Sequence, residues 1–143
     1  ELGVTEITPL FSERCGVKLS GDRLEKKQLQ WQKIVHSACE QCGRSVVPQV
    51  KPAQQLTDFI ASSFEGLRLT LDPTAPQPLS SFQQAEKGIQ LLIGPEGGFT
   101  DTEVSAAGQL GFKPMRLGPR ILRTETAALS ALTAVQYQFG DLS

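Results

Sequence analysis

Apolar positions along this chain switch repeatedly between a spacing of two and a spacing of three to four, the marks of strands and helices. Glu6-Ile7-Thr8-Pro9-Leu10-Phe11 alternates as a short strand, and Ser12-Glu13-Arg14-Cys15-Gly16 follows as a loop. Leu24, Trp31, Val35, Ala38 and Cys42 then recur at intervals of three, four and seven. That spacing predicts one face of a helix, opened by the capping-box pair Asp22 and Glu25 and stopped by Gly43. Ser45 to Val50 reads as a short strand, with Pro48 favouring an edge or a strand end. A second helix opens near Pro52 and places Leu56, Phe59, Ile60 and Ser63 on one side. Leu67-Arg68-Leu69-Thr70-Leu71 is a strand, closed by Asp72-Pro73.

Residues 72–88, rich in Pro, Ser and Gln, show no periodicity and are expected to form a surface loop with one helical turn around Ser81 to Glu86. Ile89-Gln90-Leu91-Leu92-Ile93 is nearly all apolar, as a central parallel strand covered on both faces would be. Thr100 with Glu103 has capping-box spacing, and Val104, Ala107 and Leu110 line the following helix up to Gly111. Pro114 to Leu117 is a strand, 118–123 a loop, and Thr124 to Gln138 a long helix capped by Thr124. This alternation predicts an α/β domain, a mostly parallel sheet with helices on both faces. No internal repeat or domain boundary interrupts it.

Composition adds limits. A chain of 143 residues with 39% hydrophobic content is the size of one domain and can bury a core without staples. It has no apolar run long enough for a membrane span and no basic-then-apolar leader, which predicts a soluble, cytoplasmic protein with no membrane partner. Glu1-Leu2-Gly3 lacks an initiator Met and reads as the last turn of a helix meeting a glycine stop, so an upstream segment is expected. Cys39-x-x-Cys42, with Cys15 and His36, raises a zinc or thioredoxin-like reading. The pair sits at a helix end and lacks two further ligands at suitable spacing, so free thiols in a reducing compartment and no metal are expected. The net charge of −1 hides an uneven distribution: eight Lys/Arg against six Asp/Glu in residues 1–51, two against seven in 52–112, and four against two in 113–143. The two basic ends would form a modest phosphate-facing surface if they met in space.

Two segments carry candidate chemistry. Gly94-Pro95-Glu96-Gly97-Gly98-Phe99 breaks off a buried strand and leads into a capped helix, at a strand end where open α/β sheets bind ligands. Its glycines let backbone approach a ligand closely, but it is neither a dinucleotide fingerprint nor a P-loop, and it lacks a lysine for a triphosphate. A tight turn alone explains the glycines; it does not explain Glu96. In Leu117-Gly118-Pro119-Arg120-Ile121-Leu122-Arg123-Thr124-Glu125-Thr126-Ala127, two arginines flank a large apolar pair just before a helix. Ile121 and Leu122 there could line an adenine pocket.

In this order and separation, the two strings resemble the cofactor-binding motifs of the SPOUT RNA methyltransferases. Pro9-Leu10-Phe11-Ser12-Glu13-Arg14-Cys15, Trp31-Gln32-Lys33-Ile34 and Glu40-Gln41-Cys42-Gly43-Arg44 extend the resemblance, over essentially all 143 residues, to its bacterial members that methylate the N3 nitrogen of a uridine in 16S rRNA of the small subunit. The resemblance implies a C-terminal trefoil knot, a homodimer with its active site at the subunit interface, and S-adenosyl-L-methionine as cofactor. It implies a SPOUT methyltransferase domain over 1–143, with an N-terminal RNA-binding barrel domain and the first strand of the catalytic domain lying upstream. Cofactor binding falls by motif position on Leu71, Gly94, Pro95, Glu96, Gly97, Leu117, Gly118, Ile121, Leu122, Arg123 and Thr124. Arg123 is the candidate to steady the uridine anion, and Glu125, or else Glu96, to accept its proton. Arg14, Arg44 and Arg120 are candidate contacts to the rRNA or the assembled small ribosomal subunit. Other readings are a SPOUT enzyme acting on tRNA, and a non-catalytic RNA-binding or ribosome-assembly module.

Overall fold

The computed structural model describes residues 1–16, 18–83 and 86–142. Seven short strands and four helices follow one another in the order β1 (Glu6–Ile7), β2 (Leu10–Phe11), α1 (Gly21–Cys42), β3 (Gln49–Val50), β4 (Gln54–Gln55), α2 (Leu56–Ala61), β5 (Leu67–Leu71), β6 (Ile89–Leu92), α3 (Asp101–Gln109), β7 (Phe112–Met115) and α4 (Thr124–Phe139). Every strand pairing among them is parallel, as alternating strands and helices require.

The strands form three sheets rather than one: β1 with β3, β2 with β4, and β6-β5-β7. The middle strand of the third is β5, in register Leu69↔Leu91 with β6 and Leu69↔Lys113 with β7. The expectation that the apolar run at 89–93 is central is therefore corrected. Alternation along β5 points Leu67, Leu69 and Leu71 to one face and Arg68 and Thr70 to the other. On the leucine side, Leu69 and Met115 form a core with Leu79, against which Ala134, Val135 and Phe139 of α4 pack. On the opposite side Leu92 and Phe112 pack with Leu56, Phe59 and Ile60 of α2 and Ala107 of α3. Helices thus cover both faces of this sheet.

Arg68 lies in the second core, 7% exposed and, among the described residues, without a carboxylate partner. Its guanidinium donates to the carbonyls of Phe59, Ile60 and Leu110 and to Gln90 Oε1, and stacks 4.2 Å from the Phe112 ring centroid. Burial lowers its pKa from the usual arginine value. The group is held by the carbonyls where α2 and α3 end, which carry the negative ends of the helix dipoles.

Several local expectations change. Residues 72–88 are not a free surface loop, because Ala75 and Leu79 are buried and Arg116 N donates to Gln77 O beside the β7 edge. Its helical turn is a 3-10 turn at Leu79–Ser81, and residues 84 and 85 of the expected Ser81 to Glu86 turn lie outside the described residues. The Asp22/Glu25 cap is replaced by Ser20 at the N-cap of α1, with no side-chain bond, and α2 begins at Leu56 rather than Pro52. Arg123, not Thr124, is the N-cap of α4. The strand expected over Ser45 to Val50 is only Gln49–Val50, and Gln32 of α1 ties it to the helix by accepting from Val50 N and donating to Pro48 O. Gly3 has the positive φ of a stop, 78°, but Glu1 and Leu2 are not helical. The three cysteines are free thiols: Cys39 buried, Cys15 half-buried and Cys42 exposed. Among the described residues no helix is long and apolar enough to cross a membrane, and no cluster of His, Cys, Asp and Glu could hold a metal ion.

Candidate active site

The C-terminal ends of β5, β6 and β7 open into one cleft of about 440 Å³. Each strand contributes residues at or just beyond its end: Leu71, Asp72 and Pro73 from β5, Ile93 to Glu96 with Gly98 and Phe99 from β6, and Leu117 with Arg120 to Thr124 from β7. Because β5 lies between the other two strands, the two glycine-bearing turns flank its end and face each other across Asp72.

The first turn is shaped by backbone. Gly98 N donates to Pro95 O at 2.8 Å and Gly98 takes φ 69°, a left-handed conformation that other residues adopt only with strain. Its exit is fixed by the capping box: Glu103 N donates to Thr100 Oγ1 at 3.2 Å while Thr100 N donates to Glu103 Oε2 at 2.9 Å. The second turn leaves β7 through Gly118, φ 76°, and enters α4 at Arg123, whose carbonyl accepts from Ala127 N at 2.7 Å. Ile121 is 87% exposed, an unusual setting for a large aliphatic side chain.

The cleft lining is mixed. Leu71, Ile93, Phe99, Leu117, Ile121, Leu122 and Ala127 supply apolar surface, and Asp72, Glu96, Arg120, Arg123 and Thr124 supply charge and hydrogen-bonding groups. Asp72 has one oxygen engaged, with Oδ1 accepting from Thr74 N at 2.8 Å and from Thr74 Oγ1 at 2.7 Å. Of the residues expected to hold a cofactor, Leu71, Gly94, Pro95, Glu96, Leu117, Ile121, Leu122, Arg123 and Thr124 line the cleft; Gly97 and Gly118 stand in the turns behind it. Arg120, expected at an RNA surface, lines the cleft as well. Glu125 is exposed on the first turn of α4 and is not part of the lining. Arg14 donates to Gly97 O at 3.1 Å, and Arg44 to Val4 O at 2.8 Å, so both hold backbone within this chain. His36 is exposed on α1.

Sequence reasoning passed over Asp72 and Pro73, and it named Ile93, Gly98, Phe99 and Ala127 only within the strand and motif strings, not as site residues. The available signal was the stop Asp72-Pro73 at the C-terminal end of a parallel strand, where α/β sheets bind ligands.

A second, larger cavity of about 900 Å³ adjoins the cleft at Ile93, Gly94, Pro95, Phe99 and Thr124. It separates Gly3 to Leu10 from Gly88 to Leu92 and is floored by Leu132, Val135 and Phe139 of α4.

Comparison with known proteins places this arrangement. A methyltransferase named ribosomal RNA small subunit methyltransferase E, from Buchnera aphidicola, is 42% identical over 144 residues, covering 100% of this chain and 58% of its own length. The Bacillus subtilis protein of the same name is 37% identical, covering 96% of this chain and 57% of that one. The chain thus spans a little over half the length of these curated relatives. Among solved structures, ribosomal RNA small subunit methyltransferase E from Neisseria gonorrhoeae, bound to S-adenosyl methionine, superposes with a TM-score of 0.94 at 41% identity, over 99% of this chain and 59% of that one. A Legionella pneumophila protein with bound cofactor SAM superposes with a TM-score of 0.95 at 44% identity, over 99% of this chain and 58% of that one. The profile of the RNA methyltransferase domain family matches residues 1–136, and the parallel strands opening into this cleft are those of a member: the chain belongs to that family.

Proposed function

We propose that this chain is the catalytic domain of an S-adenosyl-L-methionine-dependent methyltransferase that modifies the N3 nitrogen of a uridine in 16S rRNA, in the bacterial cytoplasm. The observation that carries this reading is the cleft, where nine of the eleven residues expected to hold the cofactor line one wall or the other. The lining suits that ligand. Ile121, Leu122 and Phe99 offer apolar surface for a purine, the glycine turn offers backbone donors and acceptors, and Asp72 and Glu96 offer carboxylates to hydroxyls or an amino group. Arg120 offers a forked donor to a carboxylate.

When bound, the cofactor supplies an electrophilic methyl group on a sulfonium. The protein's own residues then have two tasks: to hold the acceptor nitrogen in line, and to take up the imide proton. Arg123 steadies the uridine anion, because a guanidinium donates and does not accept. Of the two carboxylates considered as proton acceptor, Glu96 lines the cleft and Glu125 does not. Glu125 would reach a cleft only across a subunit interface.

Two further features support the wider reading. Leu129, Thr133 and Tyr137 are exposed at successive turns of α4, an unpartnered stripe suited to homodimer contact. The 900 Å³ cavity between β1–β2 and β6 suits one more strand, the upstream first strand that the family resemblance implies beside an RNA-binding barrel domain. The trefoil knot belongs to the same reading, as the family resemblance implies. The test is a methylation assay offering small ribosomal subunits, naked 16S rRNA and tRNA. Transfer to the subunit or its RNA, read as N3-methyluridine, is expected; transfer to tRNA alone would assign the chain to a sister enzyme, and none at all to a non-catalytic module.

A further inference from the structure

We infer that the loop at 12–16 braces the glycine turn from behind, and that Arg14 is a positioning residue for the cofactor cleft rather than an RNA contact. The inference rests on the cofactor reading of the cleft.

Arg14 follows β2 and is 83 residues from Gly97, yet its Nη1 donates to Gly97 O at 3.1 Å. Its aliphatic stem occupies the other side of the same residue. A Cβ placed on Gly97 would lie 3.2 Å from Arg14 Cβ and 3.5 Å from Arg14 Cδ, so the absence of a side chain at Gly97 is what admits the arginine. The neighbouring residue makes a second tie. Glu13 N donates to Glu103 Oε1 at 2.8 Å, while the other oxygen of that carboxylate holds Thr100 N. One short segment therefore grips the turn at Gly97 and the first turn of α3 at Glu103.

Gly97 does not line the cleft, but Glu96 and Gly98 on either side of it do. Fixing the Gly97 carbonyl fixes the plane of the Gly97–Gly98 peptide group, and with it part of the wall that would meet the cofactor. Both ties are solvent-exposed, which limits their weight in global stability. Their effect falls instead on how much of the wall is ordered before a ligand arrives.

The test compares the parent with Arg14→Ala and Arg14→Lys, by calorimetric titration with S-adenosylmethionine, amide exchange at Gly97 and Gly98, and KM values for cofactor and RNA. Loss of one charge-assisted bond to the turn is expected to weaken cofactor binding about tenfold, with faster exchange at Gly98. The lysine variant is expected to regain part of both, since an ammonium still donates to the carbonyl. KM for the cofactor is expected to rise more than KM for RNA. Unchanged affinity with unchanged exchange, or a loss confined to the RNA KM, would overturn the brace. A parent that fails to bind S-adenosylmethionine would instead refute the cofactor reading, and the exchange comparison would still decide whether Arg14 holds the turn.

Discussion

Arg68 shows how one side chain can join elements that sequence leaves separate. Its fork reaches carbonyls at the ends of α2 and α3 from a position at the start of β5, so one guanidinium ties three elements around Phe112. Replacing it with Met keeps much of the volume but leaves those carbonyls without a donor, and should lower the unfolding free energy by about 2 kcal/mol in denaturant melts. Arg68→Lys should not restore it, because a single ammonium cannot meet several carbonyls at once; a lysine variant as stable as the parent would show that charge, not the fork, matters. Arg123 is proposed to act in the reaction instead. Arg123→Ala is expected to reduce methylation roughly a hundredfold with a much smaller change in cofactor affinity, and an equal loss in both would move its role to the cofactor. The part Arg68 plays was not legible from residue type. In Leu67-Arg68-Leu69 the arginine has the pattern of a solvent-facing strand residue, and only the converging helix ends explain its burial.

Elements with local causes were readable. The Thr100/Glu103 box forms as its spacing predicts, α1 stops at Gly43, and β5 is the strand expected over Leu67–Leu71. Elements whose causes are non-local were not. Ala75 and Leu79 are single apolar residues in a polar stretch, buried only because α4 and β7 come to lie beside them. The α4 cap differs because Thr124 is already the first helical residue, and Arg123 fills the N-cap with no side-chain bond. Within this set α3 offers the sharpest test. Thr100→Ala removes one half of the box and should cost about 1 kcal/mol, lowering the melting midpoint by roughly 3 °C. Because the glycine turn feeds directly into that cap, its cofactor affinity should fall as well; a normal affinity in the destabilised variant would mean the turn is held without α3.

At the scale of the whole molecule, sheet order was the least legible feature. The run at 89–93 is nearly all apolar although it lies at the edge of its sheet, where it borders the 900 Å³ cavity. The candidate site was more legible than the sheet. Its two turns are contiguous strings, whereas Asp72 joins them only through the order β6-β5-β7. The exposed stripe on α4 carries its own prediction: Leu129→Asp should halve the solution mass of a homodimer in light scattering, and an unchanged mass would remove α4 from any subunit contact. The central claim is that one cleft, closed by two facing turns, accepts a single methyl donor. Calorimetric titration with S-adenosylmethionine, on the parent and on Leu122→Asp, tests it most directly. A single site per chain in the parent, lost when a charge is placed in the apolar wall, is the predicted result. Absence of binding by the parent, or equal binding by both, would contradict it.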